Sequence, residues 1–306
     1  MPLSIVIVTY HCKADVLKCL ASLISLSPLP PVIGREGPGE GGKPEGGLSQ
    51  IIVVDNASGD GTVEAIRAQF PLVCVLALDE NIGFARANNL AAKHATGEFL
   101  FLLNPDTLIP EQGTLERCVN YLMAQDSDTC GMTCRVESED GSLQWECARN
   151  FPTEFSECAK AFFPYKRWDT IKNFDATKEQ AVPCVLGAFI LLRRANWELI
   201  GGFDERFFLM YEDVDLCRRL YERGWKLMYW PEARIVHTGG QSWKSEKPRT
   251  YANTHISSLQ YIQKYWPGSE RGVKFMFRVA LALKKLATRG NPEKQAMILA
   301  AQEALR

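Results

Sequence analysis

Four short, largely apolar runs, each followed closely by polar groups, constrain this chain more than any other feature. Ser4-Ile-Val-Ile-Val8 leads into Thr9-Tyr10, and Ile51-Ile-Val-Val54 into Asp55-Asn56. Leu72 to Leu78 precedes Asn81, and Glu98 to Leu103 runs on to Asp106. Apolar runs of this length fit strands buried on both faces. Between and after them, Asp15 to Leu26, Thr62 to Phe70, Gly83 to Ala95 and Pro110 to Ala124 carry helical spacing or helix-favouring composition. Alternation of strand and helix predicts an α/β chain with a parallel, doubly wound sheet, whose functional groups gather at the C-terminal strand ends.

The chain has 306 residues, 46% hydrophobic and 23% charged, with a net charge of -1. That balance suits a globular protein with a sizeable core and gives no global attraction to nucleic acid. The apolar start at Met1 to Tyr10 has no basic residue before it and reads as a strand, and no apolar run reaches the roughly 18 residues of a spanning helix. These features predict a cytoplasmic protein. Ten cysteines without a secretory segment predict reduced thiols; Cys130 and Cys134 lack the second tight pair of a structural zinc site. The Gly/Pro/Glu tract across 27–49 reads as a flexible insertion.

After Thr129 the alternation ends. Glu139-Asp-Gly-Ser142 predicts a hairpin turn, and Asn150 to Glu179 reads as aromatic and irregular. Strands are expected at Val185 to Arg193, Trp225 to Trp230 and Arg234 to His237, with a helix at Asp213 to Arg223. Arg271 to Arg289 predicts a basic, mostly apolar helix that packs on the body or lies on a membrane surface. Asn291 to Arg306 predicts a further amphipathic helix suited to docking or dimerisation. Glu212, Asp213 and Asp215 cluster at a helix start behind the aromatic run Phe207 to Tyr211. Three acids there merely favour a helix N-terminus, but beside Gly201-Gly202 and the aromatic run they suggest a pocket wall. Arg86 sits in the first turn of a predicted helix, where a cation gains nothing from the dipole, so a phosphate or carboxylate partner would explain it, as would a plain surface position. Gly83 would let the backbone approach a ligand. Trp145, Trp225 and Trp243 are candidates for stacking on sugar faces, though each also suits the core.

Ser4 to Tyr10, Ile51-Ile-Val-Val-Asp-Asn56, Glu80-Asn-Ile-Gly-Phe-Ala85 and Leu102-Leu-Asn-Pro-Asp106 resemble, in order, the motifs of family 2 glycosyltransferases. Gly187-Ala-Phe189, Gly201 to Phe207, Tyr211-Glu-Asp-Val-Asp-Leu-Cys217, Gly224-Trp225 and His237-Thr-Gly-Gly-Gln-Ser242 continue the match, with most likeness to the rhamnosyltransferase-type branch. The resemblance covers Ser4 to about Ser242 and implies a GT-A glycosyltransferase domain over 1–242, followed by a helical extension over 243–306. It also implies an inverting enzyme that takes a sugar from a nucleoside-diphosphate donor, dTDP-rhamnose or a UDP-sugar, with Mg2+ or Mn2+. The acceptor would be a hydroxyl of a glycan or lipid-linked molecule, met peripherally at the inner face of the membrane.

Residue by residue, the resemblance puts Asp55 against the nucleoside with Thr9 and Tyr10 beside it, and Asn81, Gly83 and Arg86 in the donor region. Asn104-Pro-Asp106 stands where the family has Asp-X-Asp, so Asp106 is the main metal carboxylate, and His237 matches a position that supplies a further ligand. Asp213 is expected to be the general base, Glu212 to orient the acceptor and Asp215 to cap the helix. His11 departs from the family's usual asparagine, and the 27–49 insertion lengthens a normally short connection. A non-catalytic nucleotide-sugar scaffold and a sugar-nucleotide pyrophosphorylase are the alternatives; the second lacks the expected Gly-rich phosphate loop after Val8.

Overall fold

The apolar runs form one half of a nine-stranded sheet, with the third run at its edge. The computed structural model describes residues 3–26, 48–164, 167–239 and 247–306. β1 (Leu3–Thr9) pairs in parallel with β2 (Leu48–Asp55) and β4 (Phe99–Leu103), and β2 pairs in parallel with β3 (Cys74–Ala77). α1 (Lys13–Leu26), α2 (Thr62–Gln69) and α3 (Phe84–Ala92) connect them, as the alternating pattern predicts. All residues of β1 and β4 are buried, the condition of strands covered on both faces.

The second half of the sheet is mixed, which corrects the expectation of a parallel sheet throughout. After β5 (Thr107–Leu108), α4 (Thr114–Ala124) and β6 (Thr129–Glu137), the chain makes a long excursion through α5 (Glu154–Phe162) and β7 (Gln180–Val182). It re-enters beside the C-terminal end of β4, so β8 (Phe189–Arg193) has to run antiparallel to β4 and to β6. The run Val185 to Arg193 is therefore strand only from Phe189; its first residues cross the sheet's C-terminal edge, where the functional side chains are. Gly131 in β6 permits this packing, since a Cβ there would stand 2.4 Å from a Leu192 methyl and 2.6 Å from the Leu191 carbonyl oxygen.

α6 (Arg194–Ile200) and α7 (Glu212–Glu222) lead into β9 (Lys226–His237). The two strands expected at Trp225 to Trp230 and Arg234 to His237 are one strand, with a register shift at Cys134/Arg135 that absorbs the intervening residues. The strand order is β3-β2-β1-β4-β8-β6-β9-β5, with β7 also beside β9. The stretch Asn150 to Glu179 is less irregular than its composition suggests: Thr153 and Ser156 form a reciprocal capping box that starts α5.

The C-terminal extension holds α8 (Lys247–Tyr265), α9 (Glu270–Ala287) and α10 (Pro292–Ala304). Val273, Phe277, Ala280 and Leu281 of α9 form a small second core with Ile262, Ile298, Ala301 and Ala161 of α5. The inner face of the basic helix is thus packed on the body, while Phe275, Leu283 and Leu286 remain more than half exposed on its outer face. Tyr261 of α8 is fully buried in the main core. The boundary expected at 242/243, Trp243 and most of the 27–49 tract lie outside the described residues; Leu48 and Ser49 open β2. Among the described residues no helix is long and apolar enough to cross a membrane.

Candidate active site

The C-terminal ends of β1, β2 and β4 meet the N-terminal end of α7 around a cavity of about 820 Å³. Tyr10, Asn81, Gly83, Asn104, Asp106, Glu212, Asp213 and His237 all line it. Sequence reasoning named each of them, and the fold brings them together.

Three expected donor contacts sit elsewhere. Thr9 is fully buried, with its hydroxyl 3.1 Å from Cys12 Sγ. Asp55 is buried behind the cavity wall; Ser58 N–H donates to its Oδ2, and its Oδ1 is a buried acceptor with no partner among the described residues. Arg86 is exposed and pairs with Glu205 at 3.3 Å, so the ion pair explains it without a phosphate. The close approach that requires Gly83 is to protein: with φ at 89°, a Cβ would stand 2.7 Å from Phe208 O. Asn56 is the residue that binds this rim together, donating to Asn81 Oδ1 at 2.9 Å and accepting from Ile82 N–H at 2.9 Å.

β5 and β9 bring Asp106 and His237 into register, because Thr107 pairs with His237 and Thr238 N–H donates to Asp106 O. Asp106 Oδ1 and His237 Nε2 stand 3.2 Å apart, with both side chains about nine-tenths buried. Two ligands of one divalent ion at about 2.1 Å and right angles would be about 3 Å apart, so the pair fits a cation. No cluster of three or more His, Cys, Asp or Glu metal ligands occurs among the described residues. A cation here would complete its shell with diphosphate oxygens and water.

Asp213 is held from three directions. Gly187 N–H donates to Oδ2 at 2.9 Å, Arg149 Nη2 donates to the same oxygen at 3.2 Å, and Val214 N–H donates to Oδ1 at 2.8 Å. Burial works against the charge on Arg149, but Cys184 and Asp213 outweigh it and raise its pKa. Glu212 differs from its neighbour: its Oε2 is buried without a partner among the described residues. Burial first, and the Asp213 charge second, push its pKa up to about 8.

Met210 and Tyr211, just before these acids, both adopt left-handed backbone, φ 70° and 69°. Such non-glycine conformations cost about 1–3 kcal/mol each and persist where surroundings over-determine them. The surroundings are visible here. Tyr211 Oη and Ser258 Oγ of α8 both donate to Glu157 Oε2 of α5, and Lys160 donates to Glu157 Oε1 at 2.5 Å and also pairs with Asp169. Asp215 is no helix cap, correcting that expectation. Its fully buried carboxylate accepts from Arg219 (2.7 Å), Lys264 (2.6 Å) and Tyr265 Oη (2.8 Å), which locks α7 to α8.

Sequence reasoning missed the residues that complete the cavity: Gln144, Arg149, Lys160 and, from α8, Arg249, Thr250 and Asn253. Among Asp213's donors, Gly187 and Val214 stood inside recognised motifs and Arg149 did not. Trp145 lines the cavity, while Trp225 packs against the core.

The model of glycosyl transferase family 2 matches residues 4–200. N-acetylglucosaminyl-diphospho-decaprenol L-rhamnosyltransferase of Mycobacterium tuberculosis is 26% identical over 252 residues, which cover 76% of this chain and 81% of the relative. Rhamnosyltransferase WbbL of Escherichia coli is 27% identical over 191 residues, covering 60% and 70%. The fold is similar to that of mannosyltransferase PcManGT from Pyrobaculum calidifontis, solved with GDP-Man and Mn2+, at TM-score 0.55 and 19% identity over 98% of this chain and 85% of that one. It is likewise similar to Staphylococcus aureus TarS 1-349 in complex with UDP-GlcNAc, at TM-score 0.54 and 16% identity over 99% and 80%. With strand-end polar groups, paired acids and matching motifs in one cavity, the chain belongs to glycosyl transferase family 2, a GT-A glycosyltransferase of the rhamnosyltransferase-like kind.

Proposed function

We propose that the chain transfers one sugar from a nucleoside-diphosphate donor to an acceptor hydroxyl, with inversion in a single displacement. The observation that carries this reading is that Asp213 and the Asp106–His237 pair line the same cavity. Asp213, oriented by Gly187 and Arg149, takes the acceptor proton. A divalent ion held by Asp106 and His237 would neutralise charge on the departing diphosphate. One ligand is an imidazole nitrogen, which favours Mn2+ over the oxygen-seeking Mg2+. Tyr10, Asn56, Asn81 and Asn104 form the wall for the nucleoside diphosphate. The relatives' names suggest a rhamnosyl group and a fold neighbour holds UDP-GlcNAc, so dTDP-rhamnose and UDP-sugars are the donors to try.

The acceptor is a glycan hydroxyl, and a lipid-linked carrier is favoured by the outer face of α9. Phe275, Leu283 and Leu286 are exposed there, and the helix carries Arg271, Lys274, Arg278, Lys284 and Lys285 against Glu270 alone. An apolar stripe with a basic rim suits an anionic membrane surface. Co-sedimentation with vesicles containing phosphatidylglycerol, but not with phosphatidylcholine vesicles, is the expected result; equal recovery from both would remove this contact. Dimerisation through α10 would instead show as a doubled mass in sedimentation equilibrium.

The main test is a panel of dTDP-, UDP- and GDP-sugars, scored for nucleotide release with Mn2+, Mg2+ or EDTA. Turnover of one donor is expected, lost with EDTA and in Asp106→Ala. Turnover unchanged by both would end the metal reading, and binding without release from any donor and acceptor would favour a scaffold. Pyrophosphate-dependent exchange would indicate a pyrophosphorylase.

A further inference from the structure

The hairpin after β6 delivers Gln144 to the end of β9. Ser138 N–H donates to Ser142 O at 2.8 Å to close the turn, and Gln144 N–H then donates to Val136 O at 2.9 Å. The Gln144 side chain makes two contacts with one residue: Nε2 stands 2.6 Å from His237 O, and Oε1 stands 2.8 Å from His237 Nδ1.

A backbone carbonyl only accepts, so the amide end facing it has to be the NH2 group. That leaves Oε1, an obligate acceptor, against Nδ1, which must therefore carry a proton. In the neutral ring the lone pair then lies on Nε2. Nε2 faces Asp106 Oδ1 at 3.2 Å, with Asn104 Nδ2 3.3 Å away. Two electron-rich atoms at that separation call for a positive charge between or on them.

We propose that Gln144 is a positioning residue that locks His237 in its Nδ1–H tautomer and thereby aims Nε2, with Asp106, at a divalent cation. The inference rests on the reading of Asp106 and His237 as metal ligands and deepens it by assigning the group that orients them. Such partners fix both tautomer and ring orientation, and their loss costs about 10–100-fold in metal affinity. The sequence gives no sign of it, because Gln144 and His237 are 93 positions apart.

The experiment uses the full chain and Mn2+ as the probe, with free Mn2+ read by electron paramagnetic resonance, alone and with UDP. Wild type should bind, Asp106→Asn should not, and Gln144→Leu should bind roughly 10–100-fold more weakly. Gln144→Glu keeps an acceptor for Nδ1–H while losing the bond to His237 O, so it should stay within a few fold of wild type. A purely structural role predicts the reverse, with Glu as damaging as Leu. Long-range 1H–15N spectra of the imidazoles, with His237 assigned by comparison with His237→Gln, give a second readout that needs no metal. A proton on Nδ1 is expected for His237 in wild type.

An Nε2–H tautomer in wild type, or undiminished Mn2+ affinity in Gln144→Leu, would overturn the assignment. If wild type and Asp106→Asn alike fail to take Mn2+ with UDP, the metal reading fails instead, and the aim toward a cation falls with it. The spectra still decide the tautomer separately.

Discussion

The two walls of the cavity are built by different physics. The donor wall hangs on strand ends: the backbone ladders of β1, β2, β4 and β9 place Tyr10, Asn56, Asn104 and His237, and neutral amide bonds such as Asn56 to Asn81 trim the rim. The opposite wall hangs on buried charge. Arg149 holds Asp213, Glu157 gathers Tyr211, Ser258 and Lys160, and Asp215 gathers Arg219, Lys264 and Tyr265. A ladder tolerates the loss of one contact because its neighbours keep the register. A buried ionic cluster does not, since removing one partner strands the other charge, at roughly 3–5 kcal/mol. The wall to which we assign the base is thus the more brittle one, and it depends on helices beyond the 4–200 match to the family model.

The sharpest way to break that comparison is Asp213→Asn. The amide keeps the shape and still accepts from Gly187, but it cannot take a proton. General base loss costs about 10²–10⁴-fold, so kcat should fall by that order while nucleotide affinity, a property of the other wall, stays within twofold in calorimetry. Retained transfer would move the base elsewhere, and lost nucleotide binding would show that the walls are not independent.

A smaller effect is expected from Tyr211→Phe, which deletes only the hydroxyl that anchors the left-handed residue before Glu212. A hydrogen bond to a charged group is worth about 1.5–3 kcal/mol, and the urea midpoint should drop accordingly. The paired acids should lose aim by less than the 1 Å that costs about 10²-fold, giving roughly a tenfold fall in kcat with unchanged donor KM. A fall in stability with kcat intact would reduce Tyr211 to a structural role.

The same contrast explains what could be read in advance. The donor wall was legible because short apolar runs read as strands and the residues after them as a sheet edge; Tyr10, Asn56 and Asp106 follow from that, as do Thr9 and Asp55, which turn away from the cavity, while the motif order supplied Asn104. The order of motifs supplied Asp213 and His237. The ionic wall was not legible. Glu157 is 54 positions from Tyr211 and 101 from Ser258, and nothing local marks an acid on α5 as the keeper of a turn before α7. Asp215 looked like a cap because acids favour helix starts, yet besides Arg219 one turn on, its partners Lys264 and Tyr265 come from a helix some 50 residues away. Arg86 shows the same limit: its helix-dipole mismatch is met by a carboxylate, one of the partners the sequence allowed, but no local pattern marks that carboxylate as Glu205.

A last contrast separates the two acids themselves. Glu212 sits beside Asp213 and near Arg149, yet the donors of Gly187 and Arg149 go to Asp213, and Glu212 is left with its own backbone N–H. Burial and the Asp213 charge raise the Glu212 pKa from 4.5 to about 8, so the fold binds its proton more tightly than the unfolded chain does. Between those values the folded state holds the extra proton, and stability must decline as pH rises through the window. Its contribution is full below the ordinary glutamate range and is lost through about pH 8. Buried His255, whose pKa is lowered by desolvation, pushes the other way near its own range but is common to wild type and variant. The difference between urea midpoints of wild type and Glu212→Gln, taken from pH 5 to pH 9, therefore isolates the glutamate. Wild type should lose ground to the variant as pH rises. Parallel curves would mean that Glu212 is already ionised in the fold and that its orphan oxygen has a donor.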